Sequence, residues 1–317
     1  MRRTALVLLA AVAAMVLVSP VSAAPARPGG LVALAEQASR RIIVLPAAQE
    51  AWRTRAFTWT WAPTAANGLG DLASKFVSPD EAKLTERDGQ QYLMTTASGG
   101  FAGVIPYPQG TGAYWAADVG GPSNPHSIEL LPDGNVAVAA STGGWLRVYT
   151  ASQGARSTTY AEYPLVGGHG AVWDNERRVL WALGTHELVA LRVGGTPAAP
   201  VLTPEQVVHL PSEGGHDLQP VPGSRDQLWV TTESEVLRFS KSRGTFSTRY
   251  PGAGAINGHN VKSVTTNART GQVLTATPQA DHICTWCTDT VDLALPGGEL
   301  TLRGAWIYKA RWWQPQH

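Results

Sequence analysis

Among 317 residues there are only two cysteines, three methionines and five phenylalanines. Charged side chains are just 15% of the chain, and their formal balance is +1. Nothing here builds the basic field that holds nucleic acid or an anionic bilayer, so neither is an expected partner. With two cysteines the chain is no disulfide-stapled scaffold. Its stability has to come from a core, which 44% hydrophobic residues are enough to build. Helical periodicity is almost wholly missing. So are the nucleophile elbow, the phosphate-binding loop, the dinucleotide fingerprint and the zincin helix.

The one long apolar run lies at the N-terminus, in "MRRTALVLLAAVAAMVLVSPVSAAPA". A basic start, an apolar stretch and small residues predict a signal peptide over residues 1–23, cut after Val21-Ser22-Ala23. The stretch Ala5 to Val18 is short for a membrane span. The expected product is a secreted, soluble, monomeric domain over residues 24–317. In such a compartment Cys284 and Cys287 of "HICTWC" are expected to form a disulfide. Free thiols and a His-x-Cys-x-x-Cys metal site that includes His282 are the other readings.

What the chain does have is a repeat. "NPHSIELLPDGNVAVAAST", "GGHGAVWDNERRVLWALGT", "GGHDLQPVPGSRDQLWVTTES" and "NGHNVKSVTTNARTGQVLTATP" align on His126, His169, His216 and His259. Each unit reads as an entry strand, a Pro/Asp/Asn/Gly turn and three further short strands, the signature of a propeller blade. A fifth unit runs through "EAKLTERDGQQYLMTTASGG", with Lys83 near its entry. The N-terminal strands "LVALAEQ", "RRIIVLP" and "AFTWTWAP" lack a first strand, which "YKARWW" near the C-terminus supplies. The predicted fold is all-β: a single β-propeller of six four-stranded blades, its ring closed by the C-terminal strand completing the N-terminal blade. A seventh blade is allowed only if Thr64 to Pro79 hides a second unit.

Entry strands line a propeller's channel, so the four histidines are expected to ring one mouth. Neutral imidazoles in a ring suit a divalent metal such as Mn, Zn or Ca, held by His126, His169, His216 and His259 with Gln219. Without a metal, His169, His216 and His259 are candidate catalytic acid–base groups. Lys262, Arg311, Glu129, Glu36 and Trp286 are the candidate substrate-binding residues, with Trp286 as a stacking plate. Structural histidines bonded to neighbouring blades are the plainer alternative. The partner expected at such a mouth is a glycan or another small extracellular ligand. The leading expectation is an exported carbohydrate-active protein, a lyase acting on uronic-acid glycans. A non-enzymatic binding propeller is the alternative.

"NPHSIELLPDGNVAVA", "TWTWAP" and "CTWCTDT" together resemble a family of secreted bacterial propellers, common in actinobacteria, without an established function. That resemblance implies the propeller and no activity. More distantly, a histidine-ringed mouth is similar in architecture to propeller polysaccharide lyases of the oligogalacturonate lyase type. The similarity implies a metal held by three histidines and a glutamine. His126, His169, His216 or His259 with Gln219 would take those parts.

Overall fold

Short runs rich in Val, Leu, Ile, Ala and Trp, cut by turns at Gly and Asn, can bury both faces only by stacking sheets against sheets. In the computed structural model, which describes residues 29–316, they form six four-stranded antiparallel sheets arranged as a six-bladed β-propeller. The predicted signal peptide lies outside the described residues.

The blades follow chain order. Blade one combines Ile307–Trp312 with Leu31–Glu36, Arg41–Pro46 and Trp59–Trp61. The inner strands of blades two to six are Pro79–Arg87, Pro125–Leu130, Gly170–Asp174, Asp217–Pro220 and Ser263–Thr266. Closure is as the sequence predicts: the last strand pairs with the first through Val32↔Trp312, Ala33↔Arg311 and Leu34↔Ala310. The stretch in question between blades one and two holds a 3-10 helix, Gly70–Lys75, rather than a seventh blade.

The core sits between blades. Ala137, Ala139, Leu146 and Val148 of the third blade, for instance, meet Ala171, Leu180, Ala182 and Val189 of the fourth, all fully buried. One polar device recurs at three interfaces. Ser127, Asp217 and Ser263 each accept, through a side-chain oxygen, a backbone N–H of the next blade's inner strand, from Ala171, Val264 and Ala310 respectively.

Candidate functional site at the channel mouth

Backbone pairing, rather than residue type, fixes which side chains reach the mouth. His169 and His216 donate their backbone N–H to the carbonyls of Leu183 and Thr231, the last residues of the second strands. In blade six the residue making that bond, to Ala276, is Lys262. His259 falls three residues earlier, exposed, in the turn after the short helix Ala253–Ile256. Asn260, with φ of 60°, turns the chain between them. His259 is therefore not a member of the ring, and Lys262 takes its place. In blades two, three and one the matching residues are Asp80, His126 and Tyr308, each at an irregularity in its strand register. The ring is thus Asp80, His126, His169, His216, Lys262 and Tyr308, one from each blade. Asp80 and Tyr308 escape a search for histidines; counting one repeat length back from His126 and forward from Lys262 finds both.

These side chains touch. The His126 and His169 rings stack with centroids 4.3 Å apart, and His169 meets His216 edge-on at 5.4 Å. His216 Nε2 lies 2.9 Å from Lys262 Nζ. Tyr308 lies against His126 at 5.4 Å, and Asp80 comes within 3.7 Å of His126 Nδ1. His169 donates from Nδ1 to the Gly167 carbonyl at 2.8 Å, since that oxygen can only accept; this leaves Nε2 with a lone pair.

Beside the ring opens a cavity of about 480 Å³ lined by Gln37, Asp80, Ser98, His126, Lys262, Trp286 and Tyr308, with Ser78 and Asn124. Of the residues expected at a site, His126, Lys262 and Trp286 line this cavity. His169 and His216 do not line this cavity; His216 instead faces it through Lys262. Trp286 comes from the loop between the second and third strands of blade six. Its indole N–H donates to Gln37 Oε1 at 2.9 Å, and 49% of the residue stays exposed.

Burial shapes the protonation of the ring. It pushes the Asp80 carboxyl well above its usual range, against the pull of the Ser98 hydroxyl. Tyr308 is raised by burial and then by Asp80. His126 falls well below the usual imidazole value through burial, reinforced by His169 and Lys309. His169 drops to about 4 and His216 to about 2, again through burial first, with Lys262 the next cause for His216. Lys262 drops to about 8 by burial, which Glu233 opposes. Acids whose hold on the proton is strengthened thus stand beside imidazoles whose hold on it is weakened. The Nδ1 atoms of His126 and His216 and the Asn124 Oδ1 are buried without a partner.

Three of the expected site residues, Glu129, Gln219 and Arg311, belong to the frame instead. They lie three residues beyond the ring position, roughly 10 Å further down the channel at the rise of a strand. Arg311 is buried and donates to Glu81 at 2.9 and 3.0 Å and to Asp217 at 2.7 Å. Lys83 Nζ reaches Glu129 at 3.5 Å and the Ala171 carbonyl at 2.7 Å. Lys309 lies 3.3 Å from Asp217. Burial works to raise Asp217, but Arg311 and Lys309 outweigh it and hold the carboxyl at about 2. Gln219 is buried in the same layer. Glu36, buried at the end of its strand, ties a turn by accepting the N–H groups of Ala38, Ser39 and Trp306. At the far end the segment Gln314–Gln316 crosses the channel: Gln314 donates to the Thr266 carbonyl, and Gln316 bonds Leu84 and the Gln219 side chain.

Cys284 and Cys287 form the predicted disulfide. Among the described residues, just one group of three or more metal-ligating side chains has its ligand atoms within 4.8 Å of one another: His282, Cys284 and Cys287. The ring histidines do not converge in that way.

A family model described as a family of unknown function (DUF6528) matches residues 19–316. The chain belongs to this family. No curated protein matches it. Among solved structures, a protein of unknown function from Bacteroides caccae has a TM-score of 0.58 at 10% identity, covering 89% of this chain and 98% of that one. A chain of a nidogen/laminin complex has a TM-score of 0.54 at 12% identity, with the same coverage of 89% and 98%. A streptogramin B lyase structure has a TM-score of 0.46 at 12% identity over 71% of this chain and 69% of that one, too remote to inform function. At such identities the likeness to these structures is one of fold alone.

Proposed function

We propose that the channel mouth is the active site of a lyase that cleaves uronic-acid-containing glycans by β-elimination. One observation carries this reading: Asp80, His126, Lys262 and Tyr308, from four different blades, converge on a single open cavity with their proton affinities pushed in opposite directions. Trp286 offers a flat face at the rim on which a sugar ring can lie.

β-Elimination removes the proton α to the uronate carboxylate and returns a proton to the departing glycosidic oxygen. Lys262, held by His216 at 2.9 Å, places a cation where the carboxylate can bind. His126, kept neutral, accepts the carbon-bound proton, with the Asp80 carboxyl 3.7 Å from its Nδ1. Tyr308, a phenol held in its protonated form beside His126, gives a proton to the leaving oxygen. This chemistry assigns the ring histidines to proton transfer and positioning, in place of the divalent metal their number first suggests.

The test is a panel of acidic and neutral polysaccharides followed by ultraviolet absorbance of the unsaturated product, with and without chelator. Uronate polymers should be cleaved, and chelator should leave the rate unchanged. His126→Ala and Lys262→Met should each lose roughly a hundredfold or more in kcat/KM, the scale of a proton-transfer group for the first and of an electrostatic clamp for the second. Unsaturated product from no uronate polymer, or full activity in His126→Ala, would overturn the assignment. The exposed indole of Trp286 favours one second reading, a non-enzymatic glycan binder. In that case binding of intact oligosaccharide would fall in Trp286→Ala and be untouched in His126→Ala.

A further inference from the structure

The blade-six loop that carries Trp286 contains a chemical group that the proton-transfer site does not use. His282 Nδ1 lies 3.0 Å from Cys287 Sγ and 3.4 Å from Cys284 Sγ. Both cysteines are buried, and the histidine is half-buried beside them. The loop is tied at its base. Gln279 N–H donates to the Cys287 carbonyl, His282 N–H to the Gln279 carbonyl and Asp289 N–H to the Gln279 side chain. The three donors are thus fixed by backbone as well as by each other.

An imidazole nitrogen aimed at both sulfurs gains little from an oxidised pair. Disulfide sulfurs carry no proton and accept hydrogen bonds poorly. The same aim is what two thiolates and one imidazole need to share a cation. In a tetrahedral zinc site, with bonds of about 2.3 Å to sulfur and about 2.0 Å to nitrogen, donors stand roughly 3.6 Å apart. The two nitrogen–sulfur distances are close to that already. Only the sulfurs would have to part.

We infer that the reduced loop is a binding site for one zinc-type, thiophilic divalent cation, held by His282, Cys284 and Cys287 with a fourth position open. The chemistry balances as follows. A dithiol reductant gives two electrons and two protons to the Cys284–Cys287 disulfide and is itself oxidised to a disulfide. The two thiols then release their protons to solvent as the cation binds. Disulfide and metal are alternative clamps on one loop. Each holds together the two residues that flank the Thr285–Trp286 dipeptide, so each keeps the indole at the rim of the cavity.

Zinc alone, added to the full chain, tests this. The oxidised protein should bind none. The same protein, reduced and kept under argon, should bind one zinc per chain, and cobalt in its place should show thiolate-to-metal charge-transfer absorbance. His282→Ala should weaken zinc binding at least tenfold, and Cys284→Ser with Cys287→Ser should abolish it. Comparing oxidised with reduced wild type needs no variant to fold. Absence of zinc from the reduced wild type, or equal affinity in His282→Ala, would overturn the site. Polysaccharide cleavage plays no part in this readout, so the two proposals stand or fall separately.

Discussion

Arg311 shows what a single residue commits the molecule to. It is fully buried, and its guanidinium is divided between Glu81 and Asp217. Replacing it by Leu removes the cation and leaves two buried carboxylates with only Lys309 between them. That should cost about 3–5 kcal/mol, read from urea unfolding. A loss under about 1 kcal/mol, the worth of an exposed ion pair, would show that the cluster is not the buried network described. His169 and His216 make a second prediction. In the fold their values are about 4 and about 2, against 6.5 for an ordinary imidazole. Between those limits the unfolded chain binds more protons, so stability should fall as pH drops from about 6.5 toward 4. Asp217, at about 2 in the fold, extends the loss below its ordinary 3.8. Asp80, raised instead, works the other way: the stability it contributes is lost as pH rises through its folded value. His169→Gln and His216→Gln should flatten the decline above pH 4 in urea midpoints; an unchanged slope would assign it elsewhere.

At the scale of strands, inner strands are joined by side chains as well as by packing. Ser263 accepts the Ala310 N–H across the seam that closes the ring. Ser263→Ala strands that buried donor and should cost about 1–3 kcal/mol. Ser127→Ala, at a distant seam, should add to it independently. A chain ending at Trp306 lacks the strand that covers Leu31–Glu36. It should fail to give a cooperative melt and should aggregate through the bared edge. A sharp transition near that of the full chain would show that closure is dispensable. These elements were largely legible in the sequence. Turn residues at regular intervals marked the blades, and "YKARWW" was recognisable as the missing first strand because three strands at one end lacked a partner. The frame at blade six was not. "NGHN" matches "GGHD" by letter, but Asn260 in a left-handed conformation puts an extra bend before the strand, and Lys262 takes the equivalent place. For the same reason Asp80 and Tyr308 stayed hidden: chemistry differs around the ring while backbone geometry repeats. Arg311, Glu129 and Gln219 were placed on the right strands but too near the opening, because three residues of strand carry a side chain a full layer inward.

For the molecule as a whole, the segment Gln314–Gln316 has the widest effect. It spans from Thr266 to Leu84 and Gln219, beneath a layer of six buried charges. The ring is therefore a cup with one door. A polymer cannot be threaded through it and released behind. On the reading proposed above, a glycan must lie across the rim, be cleaved there and leave by the way it came, so that whatever product lingers stands in the path of the next substrate.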